Sequence, residues 1–318
     1  MGIINFGSLN IDRVYKVSHF VRPGETISSE SYKCFPGGKG LNQSIAIARA
    51  GAKVAHAGTI GTDGGFLKDL LEQSGVDTRY IRESDNVTGH ALIQVSEEGE
   101  NCIILFKGTN FENDRNFIDE VLENFDKEDI LVLQNEINNL DYLLQCGKQK
   151  GMRILLNASP VDEKLKNMDL SGVTWLMVNE TEGLVITGKS RPERIVRQLL
   201  EDYPSMNVIL TLGTGGSIYQ SKGKKIYQPC FPAQTVDTTA AGDTFTGYFI
   251  ASVLAGKNRE EALETASCAA AVAVSREGAA VSIPVYTEVE KKMFLEKRKA
   301  GEQCGGEFAE TRIGSGVF

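Results

Sequence analysis

Short runs rich in Val, Ile and Leu alternate with amphipathic stretches of helical period from the start of this 318-residue chain to about residue 290. Strand candidates are Ile3 to Phe6, Val54 to Ala57, Ile130 to Gln134, Ile154 to Leu156, Trp175 to Val178 and Asn207 to Leu212. Between them fall helices such as Phe66 to Gln73, whose apolar stripe stops at Gly75, and Pro192 to Asp202, with proline near its start. Strands separated by helix-length segments pair in parallel through crossovers, so the pattern predicts an α/β fold with helices on both faces of a parallel sheet. One region breaks the rhythm. His90 to Val95 and Cys102 to Phe106 are strand-like runs joined by the polar turn Glu97-Glu98-Gly99-Glu100, which predicts a hairpin. The extended patch Val14 to Lys33, with Pro23-Gly24 in its middle, can pair with that hairpin as a small accessory sheet. The Gly-rich, aperiodic stretch Gly301 to Phe318 reads as an extension outside the core.

Composition narrows the function. With 41% hydrophobic residues, 24% charged and a net charge of −8, the chain is an ordinary globular protein of one large domain with room for a subsidiary one. The acidic balance and the lack of a long Lys/Arg run argue against nucleic-acid binding. Apolar stretches such as Ala269 to Val274 fall far short of the ~18 residues a membrane span needs, and Met1 to Asp12 has no basic leader, so a cytoplasmic location is expected. Six cysteines without CxxC spacing and three isolated histidines offer neither a zinc cage nor a local histidine motif.

In an open parallel sheet, ligands bind beyond the carboxyl ends of the strands, where helix amino ends point free N–H groups into the crevice. Five strand candidates are followed there by polar or glycine clusters: Gly7 to Asp12, Asn135-Glu136, Asn157, Asn179 to Glu182, and Gly213 to Gly216. Any one is ordinary turn chemistry; their common placement favours a polar active-site crevice. Two glycine-rich segments say more. Gly37-Gly38-Lys39-Gly40-Leu41-Asn42-Gln43-Ser44 leads into an alanine-rich helix, with Lys39 and Asn42 able to hydrogen-bond a closely approaching ligand. Asp237-Thr238-Thr239-Ala240-Ala241-Gly242-Asp243-Thr244-Phe245-Thr246-Gly247 leads into another helix, and its small residues Ala240, Ala241 and Gly242 leave backbone N–H groups open as an anion hole. An anion hole edged by an aspartate suggests phosphoryl transfer, with Asp243 as the base that takes the proton of an attacking hydroxyl. The plain alternative is an aspartate favoured in a first helical turn by the dipole alone.

Gly183-Leu184-Val185-Ile186-Thr187-Gly188-Lys189-Ser190 matches the phosphate-loop pattern GxxxxGK[ST] letter for letter. Its apolar interior follows the helix-start signal Asn179-Glu180-Thr181-Glu182, so Gly188 is expected to cap a short helix instead.

Together, GGKGLNQS (Gly37 to Ser44), NETE (Asn179 to Glu182), TLGTGG (Thr211 to Gly216) and DTTAAGDTFTG (Asp237 to Gly247) resemble, in their order, the PfkB-type sugar kinases, and within them the ribokinase branch, over about residues 2 to 290. The resemblance implies a doubly wound, mostly parallel sheet with a small β lid, here a kinase domain over 1–298 with its lid from about 12–35 and 88–109, and an extension over 299–318. It implies an ATP-dependent kinase that phosphorylates the primary hydroxyl of ribose or a similar furanose, with nucleoside or other sugar phosphorylation, or sugar or nucleotide binding without turnover, as alternatives. By position, Asn10, Asp12, Gly38, Lys39, Asn42 and Glu136 would hold the sugar. Ala240, Ala241 and Gly242 would stabilise the transferring phosphoryl group, with Asp243 as base. Asn179 and Glu182 would organise Mg²⁺ and the phosphates, largely through water, and Thr211, Gly213, Gly216 and Ser267 would line the nucleotide site. Asp237, Thr239, Ala273, Arg276, Gly278 and Ser282 would hold a monovalent cation, usually K⁺. A homodimer formed through the lid is also implied. Departures from the ribokinase pattern fall at Lys107-Gly108-Thr109-Asn110, at Asn157-Ala158-Ser159-Pro160 and at Ser267; they weaken the assignment of ribose more than that of a kinase.

Overall fold

The computed structural model describes residues 2–310, and side chains as far as residue 299. In chain order the strands are β1 (Ile3–Phe6), β2 (Asn10–Lys16), β3 (Ser31–Gly37), β4 (Val54–Gly61), β5 (Asp77–Ser84), β6 (Gly89–Val95) and β7 (Asn101–Phe106). They continue with β8 (Ile130–Gln134), β9 (Arg153–Asn157), β10 (Trp175–Asn179), β11 (Asn207–Thr211), β12 (Ser217–Ser221) and β13 (Lys224–Gln228). The helices are α1 (Lys39–Arg49), α2 (Gly65–Gln73), α3 (Arg115–Leu122), α4 (Leu140–Gln149) and α5 (Glu163–Lys166). After them come α6 (Glu180–Thr187), α7 (Pro192–Asp202), α8 (Ala241–Leu254), α9 (Arg259–Ala273) and α10 (Tyr286–Glu310).

Among the described residues, nine strands form one sheet in the order β13-β12-β11-β10-β9-β8-β1-β4-β5. The pairs from β5 across to β11 are parallel, and β12 and β13 add an antiparallel edge. The sheet is covered on both faces, which explains why its central strands are apolar at nearly every position. On β1, Ile3 packs with α1, α8 and α9 residues such as Ile45, Phe249 and Leu263, while Ile4 and Phe6 pack on the other face with Phe117 and Leu143.

A second sheet, β3-β2-β6-β7, stands apart from the body. The expected hairpin is its β6–β7 pair, and β2 joins β6 in parallel register, Asn10 opposite Gly89 and Lys16 opposite Val95. No described helix is long and apolar enough to cross a membrane.

Where an extension outside the core was expected from residue 299 on, α10 runs without interruption from Tyr286 to Glu310, so residues 301–310 are helical. Lys, Glu and Ala around Gly301, Gly305 and Gly306 are good helix formers, and extending an existing helix avoids the nucleation cost. The rest of that stretch, 311–318, lies outside the described residues.

Candidate active site

Strand order reverses beside β1: the chain steps outward to β4 and β5 on one side, then returns to β8 on the other. A crevice opens at the carboxyl ends of strands at such a point. Here the loops after β1 and β8 meet, Ser8 Oγ donating to Glu136 Oε2 at 2.5 Å. The same carboxylate oxygen accepts from the Lys39 N–H at 3.0 Å. α1 begins after Gly38 with no side-chain cap of its own, so Glu136 satisfies its first turn from across the crevice. The close approach depends on Gly40, where a Cβ would lie 2.3 Å from the Ser8 nitrogen, and on Gly38, whose φ of 95° an L side chain rarely adopts.

Five ionisable groups, Lys39, Glu136, Asp12, Asp243 and Glu182, face this crevice or interact across it. Burial works against the Lys39 ammonium, but Asp243, Glu136 and Glu182 outweigh it and hold its pKa above the ordinary lysine value. Burial raises Glu136, against the pull of Lys39 and Ser8. Burial, then the nearby Glu136, pushes Asp12 up to about 7. On β2, Asn10 Oδ1 accepts from Asn110 Nδ2 at 2.7 Å, and Asn110 Oδ1 accepts from the Leu9 N–H at 2.9 Å. The Lys107 to Asn110 segment, a departure from the expected pattern, thus anchors one of the residues expected at the sugar.

Across the crevice, α8 starts at Ala240, a non-glycine residue at φ 60°, and no side chain caps it. A left-handed alanine costs about 1–2 kcal/mol, and it turns the chain so that the helix amino end faces the opening. The Ala241 N–H donates to the Thr238 carbonyl at 3.2 Å, so it is not open as the sequence suggested, because the turn into α8 uses it. Gly242 keeps an open face, with nothing within 4 Å of where its Cβ would be. Asp243 is buried. Its Oδ2 accepts from Asn42 Nδ2 at 3.0 Å and its Oδ1 from Gln43 Nε2 at 2.9 Å. One turn on, Gly247 lets α8 touch α1 closely, since a Cβ there would lie 2.4 Å from Ala46 Cβ. An aspartate at a helix amino end, beside a lysine and an open glycine face, can accept a proton while the backbone N–H groups stabilise an anion.

Further along the sheet, β10 and β11 bring Asn179 opposite Thr211. Asn179 and Glu182 form a capping box on α6: the Asn179 N–H donates to Glu182 Oε2 and the Glu182 N–H to Asn179 Oδ1, each at 2.9 Å. α6 ends at Gly188, φ 68°, whose N–H donates to the Leu184 carbonyl, so the phosphate-loop match is a helix and its cap. Gly213 and Gly216 both have positive φ in the turn between β11 and β12. Ser267, on α9, donates its hydroxyl to the Pro229 carbonyl at 3.1 Å.

Asp237, expected to help hold a monovalent cation, already has protein partners for both oxygens. Its Oδ1 accepts from the Thr239 N–H and hydroxyl at 2.8 and 2.6 Å, and its Oδ2 from the Gly278 N–H at 3.0 Å. These bonds hold its carboxyl below the usual range although burial acts against them. The Asp237 N–H reaches the Val274 carbonyl at the end of α9, while Arg276 pairs with Glu288 and the Ser282 hydroxyl donates to the Ala279 carbonyl. Among the described residues no cluster of three or more His, Cys, Asp or Glu could hold a metal, so any ion here would rest on hydroxyl and carbonyl oxygens as well as Asp237.

Sequence reasoning gave no role of their own to Asn5, Ser8, Gln43, Asn110 and Gln134. Ser8 lay within the Gly7 to Asp12 cluster and Gln43 within the Gly37 to Ser44 segment, and Gln134 could have been suspected from its place at the end of β8. Nothing in the sequence marks Asn5, which sits inside a strand. It is fully buried and contacts Ser44, whose Oγ lies 2.8 Å from Nδ1 of a buried His56, held neutral by burial with its pKa pushed down to about 4.

The sequence matches the pfkB family carbohydrate kinases over residues 2–285. Ribokinase from Haemophilus influenzae is 36% identical over 299 residues, 91% of this chain and 97% of that protein. Among solved structures, ribokinase from Thermotoga maritima superimposes with a TM-score of 0.82 at 35% identity, covering 92% of this chain and 99% of that one. Arabidopsis thaliana ribokinase complexed with ribose and ATP superimposes with a TM-score of 0.81 at 30% identity, covering 92% and 98%. With a doubly wound body, a separate four-stranded sheet and a match across most of its length, the chain belongs to the pfkB family of carbohydrate kinases.

Proposed function

We propose that this kinase transfers the γ-phosphoryl group of ATP to the primary hydroxyl of D-ribose, giving ribose 5-phosphate. The observation that carries the reading is Asp243, buried at the amino end of α8, its two oxygens held by Asn42 and Gln43 beside the open face of Gly242. Asp243 takes the hydroxyl proton, the alkoxide oxygen attacks the γ-phosphorus, and ADP leaves with the electron pair of the broken P–O bond. The α8 amino end, Ala240 to Gly242, stabilises the charge on the transferring group, with Gly242 the most accessible amide. Asn10, Asp12, Gly38, Lys39, Asn42 and Glu136 hold the sugar hydroxyls; their mixture of acceptors and donors suits a polyol. Asn179, Thr211, Gly213, Gly216 and Ser267 border the nucleotide. The ribokinase relatives, one of them complexed with ribose and ATP, support ribose as acceptor.

Glu182 fits a hydrated Mg²⁺: one oxygen is held at the Asn179 N–H, leaving the other for a water of the ion. When bound with ATP, Mg²⁺ would neutralise charge on the phosphates. The Asp237 carboxylate, the Thr239 and Ser282 hydroxyls and the backbone carbonyls of Ala273, Arg276 and Gly278 could supply an all-oxygen ligand set, which suits K⁺, and an ion there would steady the turn carrying Ala240. The enzyme acts in the cytoplasm as a homodimer joined through the lid, whose outer strand β7 exposes Ile103, Ile104, Leu105 and Phe106.

Asp243→Asn is expected to lower turnover by about 10² to 10⁴ while ribose still binds. Near-normal turnover would refute the assignment of the base. Ribose, fructose, adenosine and pseudouridine offered with ATP, Mg²⁺ and K⁺ test the acceptor. Preference for a nucleoside overturns ribose, and no phosphorylated product from any acceptor overturns catalysis itself.

A further inference from the structure

Behind Asp243 lies a buried chain of carboxamides whose direction is set from one end. An ionised carboxylate only accepts, so Gln43 must present its Nε2 to Asp243 Oδ1. Its Oε1 then accepts from Gln134 Nε2 at 2.8 Å, and the same Gln134 nitrogen donates to Asn5 Oδ1 at 2.9 Å. Asn5 in turn gives its Nδ2 to the Gly40 carbonyl and to Ser44 Oγ, both at 2.8 Å. The path runs from α8 to α1, to the ends of β8 and β1, and back to α1. Asn5, Gln43, Ser44 and Gln134 are all fully buried.

Polar groups at these depths are costly unless every one is paired, and an apolar core would avoid the cost. Among the described residues Gln134 Oε1 is buried without a protein partner, a cost that an apolar side chain would not carry. It does determine direction: reversing any one amide would set oxygen against oxygen. The two contacts on Asp243 also differ in depth. Gln43 has no exposed surface, whereas Asn42 retains 5% and is the one of the two placed among the sugar-side residues.

We propose that Gln43, oriented by Gln134, is a positioning residue for the reaction: it holds Asp243 Oδ1 on the interior side, leaving Oδ2 beside Asn42 to take the acceptor's proton. This rests on Asp243 being the base. The hydroxyl proton passes to Oδ2 as the acceptor oxygen bonds the γ-phosphorus and ADP departs with the electron pair of the broken bond. Lys39 on α1 and Glu136 after β8 are the charged groups that interact with Asp243, and the bonds of Gln43 run to Asp243 and Gln134, not to either of them.

The test is a mutant cycle read as kcat and sugar KM from phosphorylated product, with Gln43→Leu and Gln134→Leu each made in the native and the Asp243→Asn backgrounds. Gln43→Leu is expected to lower kcat about 10- to 100-fold, the range for a hydrogen bond to a charged group, with sugar KM within about twofold. Gln134→Leu should lower kcat in the same direction by less. In the Asp243→Asn background neither should cost anything further, an effect that general loosening of the core would not produce. Equal losses in both backgrounds, or an unchanged kcat for Gln43→Leu in the native one, overturn the proposal. If Gln43→Leu fails to fold, as judged by its melting transition, Gln134→Leu carries the same comparison. An active Asp243→Asn would instead overturn the base, so the two failures are distinguishable.

Discussion

Gly247 is one helical turn beyond Asp243, and it sets the distance between α8 and α1. In Gly247→Ala the new Cβ would lie 2.4 Å from Ala46 Cβ and 2.9 Å from the Ile47 nitrogen, neither of which is the movable end of a flexible side chain. Ordinary contact begins at 3.4 Å, so the helices must part by about 1 Å. The same displacement one turn away stretches the 3.0 and 2.9 Å bonds from Asn42 and Gln43 to roughly 4 Å, beyond hydrogen-bond reach. Overpacking costs about 1–3 kcal/mol, and replacing a helical glycine by alanine returns about 1 kcal/mol, so stability should fall by about 0–2 kcal/mol. Catalysis should suffer more. Loss of two hydrogen bonds to a carboxylate, with a misplacement of that size, predicts a fall in kcat of about 10²-fold or more. Thermal melting and steady-state turnover with ribose and ATP check both figures. A Gly247→Ala enzyme with native melting temperature and kcat within about twofold would refute the idea that this helix contact positions Asp243.

Other expectations concern pH, the cation and the lid. The folded protein holds Asp12 protonated to about pH 7 where the unfolded chain releases the proton near 3.8, so stability present below that lower value is lost as pH rises through this window. Melting of the ligand-free protein should therefore show a downward slope with rising pH that Asp12→Asn flattens; an unchanged slope would discount the effect. Replacing K⁺ with tetramethylammonium should lower activity, and indifference to the exchange would remove the cation from the mechanism. Ile104 is 62% exposed on β7, so Ile104→Lys should shift sedimentation toward a monomer, and a native sedimentation profile would count against dimerisation through the lid.

How much of this was legible depends on how local each signal is. β1, β8 and α7 fall at the residues expected, since a fully buried strand and a helix begun by proline announce themselves within a few residues. β5, β12 and β13 were not recognised: β5 and β13 are the two edge strands of the sheet, and the polar content of sequences such as Lys224–Gln228 hides the pattern of the β12–β13 hairpin. The phosphate-loop match was correctly set aside because the capping signal at Asn179 and Glu182 is local too.

The sequence by itself determined the layered α/β architecture, the glycine segment that lets α1 approach the loop after β1, and the presence of Asp243 at a helix start. Only the tertiary structure decided what surrounds that aspartate. Asn42 and Gln43 lie about 200 residues from it along the chain, and Gln134 and Asn5 are farther apart in sequence than any periodicity can relate. Their meeting requires β1 and β8 to become neighbours and α1 to press against α8 at Gly247. Residue pattern reports the face a side chain turns to the core; which polar groups it finds there is a property of packing, because hydrogen bonds act over about 3 Å and carry no record in the sequence between their ends.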